Sequence, residues 1–116
     1  MKKINILKNS RDFDRIIKGN KPYKFKDYII YIERNTNDLY KFGLSVGKKI
    51  GNAVKRNKVK RQLKSIIDKK DYQNNFNCII IVGKGINERT FEEREKNLFI
   101  ALNNLDIIKE KQNEKK

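Results

Sequence analysis

Phe42 to Ile66 reads FGLSVGKKIGNAVKRNKVKRQLKSI, and a strand pattern passes directly into a helix pattern within it. Its start continues from Leu39, where Tyr40, Phe42, Leu44 and Val46 alternate with Lys41, Gly43 and Ser45. Alternation of that kind is the period of a half-buried β-strand. Gly47 to Gly51 is a glycine-flanked basic loop, and Asn52 suits a helix N-cap. From there a helix is expected to about Lys70. At 3.6 residues per turn, Val59, Leu63, Ile66 and Ile67 make one apolar stripe. Opposite them, Asn57, Lys60, Arg61 and Lys64 recur at i, i+3, i+4 and i+7, flanked by Lys55, Arg56 and Lys58. One side of this helix docks on a sheet; the other is a row of cations.

Outward from this stretch the pattern stays mixed. Upstream, Asn9 or Ser10 caps a short helix whose Phe13, Ile16 and Ile17 share a face, with Gly19 and Asn20 ending it. Residues 25–34, FKDYIIYIER, read as one strand, with Tyr28, Ile30 and Ile32 on one face and Phe25, Ile29 and Tyr31 on the other. Residues 35–38 form a polar turn, so the two strands are expected to pair as a hairpin. Downstream, 72–77 reads as a polar linker. CIIIV at 78–82 is a continuous apolar run, expected as a buried central strand. Thr90 and Glu93 match a capping box before a helix marked by Phe91, Leu98, Leu102 and Leu105. The element order α-β-β-α-β-α predicts an α+β two-layer sandwich with a small mixed sheet. The whole chain, 1–116, reads as a single domain, its ordered core about 7–108 and its tail, 109–116, frayed.

Composition narrows the chemistry. The 116 residues carry 29 Lys and Arg against 14 Asp and Glu, a net charge of +15. There is no His, which excludes Ser-His-Asp and Cys-His catalysis and histidine metal sites. A lone cysteine, Cys78, forms neither an internal disulfide nor a CxxC site. Apolar runs are far short of the ~18 residues that span a bilayer, and the N-terminus lacks the signature of a signal peptide. A cytoplasmic location is expected. Hydrophobic residues make up only 37% of the chain, yet they are patterned rather than scattered, so a small core is expected.

The charge is concentrated. Between Leu39 and Ile67 lie nine basic residues and no acidic one. A solvated helix face normally mixes signs, whereas an acid-free basic stretch is an electrostatic footprint for phosphate. Arg offers a fork of donors to phosphate oxygens and Lys a mobile point charge. Lys48 and Lys49 stand beside the helix N-terminus, whose N–H groups also favour anions. A folded RNA read by shape is the ligand that suits this surface best.

The same residues closely resemble the signature of the bacterial ribonuclease P protein subunit. Its core, GNAVxRNxxKR, is present from Gly51 to Arg61, and the preceding GLSVxKKxG from Gly43 to Gly51. LKNSRDFDRII, Leu7 to Ile17, is similar to the family's first helix, so the resemblance covers about residues 7–105. The third position of the family's arginine-asparagine-arginine motif is Lys58, and Ile17 stands where a bulky aromatic is usual. The resemblance implies a protein cofactor for a catalytic RNA, the pair removing the 5′ leader of precursor tRNA. It implies that the RNA holds the magnesium ions and does the chemistry, leaving no catalytic residue on the protein. By position, the catalytic RNA would be held by Arg56, Asn57, Lys58, Lys60, Arg61 and Lys64, and Lys48, Lys49 and Asn52 at the start of the helix are expected to extend the same surface. The single-stranded leader would lie in a cleft containing Phe13, Ile17, Tyr31 and Ser45. The expected partners are that RNA and precursor tRNA, with no membrane and no DNA. A left-handed β-α-β crossover is implied as well, against the general right-handed rule.

Read without the resemblance, several of these positions have plainer meanings. Phe13 and Ile17 on an apolar helix face read as core, and Phe25 and Tyr40 suit core, rim or base platform equally. Tyr28 and Tyr31 point to opposite sheet faces, so only one lines a shared cleft. Cys78 reads as a small buried hydrophobe. Asp12, Asp14 and Asp27 would make a metal pair only if the fold gathers them. Glu92, Glu93 and Glu95 suit a helix N-terminus. A free-standing RNA-binding protein of ribosome assembly would use the same basic helix. An autonomous two-metal nuclease would need a clustered acid set, and none is evident.

Overall fold

A computed structural model describes residues 1–109. Along the chain lie α1 (Ser10–Gly19), β1 (Tyr23–Phe25), β2 (Tyr28–Arg34), β3 (Tyr40–Val46), α2 (Ala53–Ile67), β4 (Phe76–Val82) and α3 (Phe91–Asn104). Short 3₁₀ turns occupy Lys3–Asn5, Lys48–Ile50 and Lys84–Glu88. Apart from Lys109, whose N–H donates to the Asp71 carbonyl at 2.8 Å, the expected frayed tail lies outside the described residues.

The strands form one mixed sheet in the order β1-β2-β4-β3. β2 runs antiparallel to β1 and β4, while β3 and β4 are parallel and joined through α2. The α+β class and the small mixed sheet are as expected, and the CIIIV run lies in β4, one of the two interior strands. The expected hairpin between the second and third strands does not form, because β4 lies between them. Alternation identifies a strand and its faces without naming its neighbour. Residues 35–39 easily span two strand spacings of ~4.8 Å each. They cross the start of β4, where Asn35 N–H donates to the Asn75 carbonyl at 3.0 Å and Asn75 N–H to the Leu39 carbonyl at 2.8 Å.

Residues 25–34 also divide. Lys26 adopts φ 53° and folds the chain back, so β1 and β2 are the true hairpin. No glycine or asparagine marks that turn. The Asp27 carbonyl accepts from Gly83 N–H at 2.7 Å, and the Asp27 carboxylate accepts from Arg89 Nε at 2.8 Å. Those long-range bonds hold a turn that local propensity does not specify. In consequence Phe25 pairs with Tyr28 and joins the Tyr28 face, not the Tyr31 face expected for it. The linker read at 72–77 is likewise shorter: Tyr72 is buried and β4 already begins at Phe76.

The sheet and helices α2 and α3 make the two-layer sandwich. Tyr28, Ile30, Phe42, Phe76, Cys78, Ile80 and Val82 meet Val59, Leu63, Ile66, Leu98, Ala101 and Leu102 in the main core. Burial pushes the Cys78 thiol up, out of the reactive range. Tyr28 donates its hydroxyl to the Arg94 carbonyl at 3.0 Å, and burial raises its pKa too. Helix α1 adds a partial layer on the opposite face, over a small cluster of Leu7, Ile16 and Ile79. β4 is therefore covered on both faces at Ile79, which explains its unbroken apolar run. The caps match the sequence: Asn9 accepts from Arg11 N–H, Asn52 from Lys55 N–H, and Thr90 and Glu93 close a capping box. α2 stops at Ile67 rather than Lys70, its end tightening into turns through Lys69 and Lys70 N–H.

Candidate nucleic-acid interface

Helix α2 is set by its apolar stripe: Val59, Leu63, Ile66 and Ile67 are buried. Rotation about the axis is thereby fixed, and Asn57, Lys58 and Arg61 stand exposed, with Arg56, Lys60 and Lys64 half-buried along their stems. Such stems lie on apolar surface while the charged heads reach water. Among the described residues, no ion pair or hydrogen bond within the protein engages the charged group of Lys48, Lys49, Arg56, Lys58, Lys60, Arg61 or Lys64. Asn52 is different. Its Oδ1 accepts from Lys55 N–H at 2.9 Å, so this oxygen serves the helix start. Lys48 and Lys49 lie on the adjoining 3₁₀ turn, which is pinned by buried Ile50. At the junction Gly51 has φ 152°, and a Cβ there would lie 2.6 Å from Lys55 Cδ.

The cations are not one row but a crest with two flanks. Lys55 and Lys58 line a groove of about 300 Å³ between α2 and α3, with Gln62, Arg89 and Phe91. Lys60 and Lys64 line the other side, in a cavity of about 260 Å³ that also includes Leu7, Phe13 and Leu44. Asn57 and Arg61 ride the exposed crest between.

On the opposite face of the sheet, three rows cross β2, β4 and β3: Glu33–Asn77–Lys41, Tyr31–Ile79–Gly43 and Ile29–Ile81–Ser45. Phe13 and Ile17 of α1 pack with Tyr31 and Ile81 around buried Ile16 and Ile79. Phe13 lies against Gly43, where an added Cβ would come within 2.5 Å of the ring. Ile29, Ile81 and Ser45 remain only half-buried. The result is a shallow trough with an apolar wall and a half-covered floor. The cavity of about 260 Å³ carries Phe13 on one side and Lys60 and Lys64 on the other, so trough and cationic helix meet at the β3 edge.

Known proteins share this chain's sequence pattern and its fold. The ribonuclease P family model matches residues 1–106. The chain belongs to the ribonuclease P protein family. A ribonuclease P protein component of Streptococcus pyogenes serotype M5 is 36% identical over 103 residues, 88% of this chain and 87% of that one. Among solved structures, the Staphylococcus aureus RNase P protein superposes with a TM-score of 0.80 at 27% identity, over 90% of this chain and 98% of that one. The RNase P protein from Thermotoga maritima gives a TM-score of 0.76 at 25% identity, covering 84% and 94%. Membership implies a part in tRNA 5′ processing within an endoribonuclease holoenzyme that has an RNA component.

Asp12 accepts from Arg15 and Asp27 from Arg89, so the fold does not gather Asp12, Asp14 and Asp27. Among the described residues, no three His, Cys, Asp or Glu side chains come together to hold a metal ion, and no helix is long and apolar enough to cross a membrane. Sequence patterning passed over Gly43 and its fit to Phe13, and also a polar cluster beside α1. Arg15 donates from Nε and a terminal nitrogen to both oxygens of Glu33, each at 3.0 Å, and also to Asp12 at 2.7 Å. Asn77 Nδ2 donates to the same Glu33 at 2.9 Å. The Arg15 guanidinium holds the Glu33 carboxyl below its ordinary range. A signal was present in sequence, since Arg15 follows Asp12 at i+3, but its partners on β2 and β4 were not legible.

Proposed function

We propose that this chain is the RNA-binding protein subunit of ribonuclease P. In this reading α2 grips the catalytic RNA through Arg56, Asn57, Lys58, Lys60, Arg61 and Lys64, with Lys48, Lys49 and Asn52 at its start. The trough of Phe13, Ile17, Tyr31 and Ser45 takes the unpaired 5′ leader of precursor tRNA. The RNA and its magnesium ions hydrolyse the phosphodiester, and the protein supplies positioning and charge rather than a catalytic side chain. Cytoplasmic RNA, not DNA or a membrane, is the expected partner.

The observation that carries this is the acid-free cationic helix whose charged groups find no partner within the described protein. Bringing so many like charges onto one rod costs self-repulsion, which a polyanion relieves. Phosphate contacts then position the complex and unpaired bases stack on aromatic faces. The junction of trough and helix at the β3 edge supports one continuous RNA path.

Reconstitution with the catalytic RNA tests it. The expected result is faster precursor-tRNA cleavage at low magnesium with the protein than without. Cleavage by the protein alone would overturn the division of labour. Tight binding to ribosomal RNA without any effect on tRNA processing would replace it with a role in ribosome assembly.

A further inference from the structure

Helix α1 is weakly seated. It has ten residues, of which only Ile16 is fully buried, and helices this short are marginal alone in water. Its anchors are the small apolar cluster beneath it and the polar cluster at Arg15. At ~100° per residue, Arg15 lies roughly 160–200° around the helix from Ile17 and Phe13, so the polar cluster stands on the flank away from the trough wall. The sheet repeats that order: the Glu33–Asn77 row lies on one side of the Tyr31–Ile79–Gly43 row, and the Ile81–Ser45 floor on the other.

We infer that Arg15, with Glu33 and Asn77, is a positioning clamp on the back of α1 that sets the width of the leader trough. This rests on the reading of the trough as the leader site. Arg15 binds Glu33 through two parallel bonds of 3.0 Å, and Glu33 binds Asn77 at 2.9 Å. The helix is thereby fastened to β2 and β4 together. Exposed ion pairs are usually weak, but forked geometry within a network is the exception. Contact of the Phe13 ring with Gly43 limits sliding along the sheet, and the clamp limits rolling and lifting. Without it, Phe13 and Ile17 move relative to Tyr31 and Ser45. The Arg15 charge is met by two carboxylates, so this cation is not a phosphate contact.

The test uses the reconstituted holoenzyme with Arg15→Ala, Glu33→Gln and the double variant Arg15→Ala/Glu33→Ala. Affinity is measured for precursor tRNA and for mature tRNA, with salt dependence and kcat at saturation. Arg15→Ala is expected to weaken leader-bearing substrate by about two- to fivefold, the scale of a well-placed exposed pair. Glu33→Gln should do less. Mature tRNA affinity, kcat and the salt slope should not change, and the double variant should lose no more than Arg15→Ala. Equal loss on both ligands, or no loss on either, overturns the clamp. A salt slope reduced by about one would make Arg15 a phosphate contact instead. Tyr31→Ala run in parallel separates the two levels. If it selectively weakens leader-bearing substrate while Arg15→Ala does not, the clamp alone is wrong. If Tyr31→Ala shows no selectivity, the trough reading falls and the clamp with it.

Discussion

The two faces of the sheet are built to different standards. Against α2 and α3 the main core is closed, with Phe76, Ile80 and Cys78 of β4 at 0% exposure. Against α1 the buried hydrophobic cluster among the described residues is just Leu7, Ile16 and Ile79, and Phe13, Ile17, Tyr31 and Ile81 remain partly open. Both faces draw on the same strands and the same residue types. The difference lies in what covers them: two helices of 15 and 14 residues on one side, one of 10 on the other. A face that is fully paid for in buried area holds the fold. A face left half-covered keeps apolar and aromatic surface within reach of a ligand. On the proposed reading, stability rests on one side of the sheet and leader binding on the other, while the cationic crest of α2 adds an RNA-gripping surface to the stabilising side without entering its core.

Substitutions placed on either side sharpen or break this division. The largest effect is expected from Phe76→Ala, which empties a fully buried site in the main core. A loss of about 3–5 kcal/mol in urea unfolding is expected, and a loss under 1 kcal/mol would mean that this face does not carry the fold. Next comes the triple change of Arg56, Lys60 and Arg61 to Ala. It should leave unfolding nearly unchanged while the salt dependence of catalytic-RNA binding falls in slope by about two to three. An unchanged dissociation constant and slope would remove α2 from the interface. Tyr31→Ala should cost about 1–3 kcal/mol in affinity for leader-bearing substrate, the scale of one stacked base, and little for mature tRNA. Equal losses measured on both would reunite the faces as one structural unit.

Acid gives the smallest effect. The folded-state pKa of Glu33 is depressed by Arg15. Its contribution to stability is therefore complete above the unfolded carboxylate value of about 4.3 and is lost as pH falls through the lower folded value. The stability gap between the native chain and Glu33→Gln, measured by urea unfolding, should be present at neutral pH and close on acidification. A gap that persists unchanged at low pH would show that packing, rather than the ion pair, seats this corner of α1.

Much of the α2 region was readable from order and spacing. The stripe of Val59, Leu63 and Ile66 predicts which side docks, and the same rotation delivers Asn57 and Arg61 outward. Helix caps at Asn52 and Thr90 were legible because they are local. The trough was readable only through resemblance, since Phe13 and Ile17 on a helix face look like any core residues until Gly43 is found beneath the ring. The separation of Lys58 from Lys60 and Lys64 onto different flanks depends on where α3 and the N-terminal segment lie.

Periodicity and charge, being properties of neighbours in the chain, determined the helices, most of the strand faces and the acid-free cationic rod, while the residues of the Gly43 to Arg61 motif carried the likeness to ribonuclease P proteins. Tertiary structure decided strand partners, the turn at Lys26 and the clamp between Arg15, Glu33 and Asn77. Each of those joins residues far apart in sequence, and alternation or composition carries no information about which distant segment will fill the space alongside.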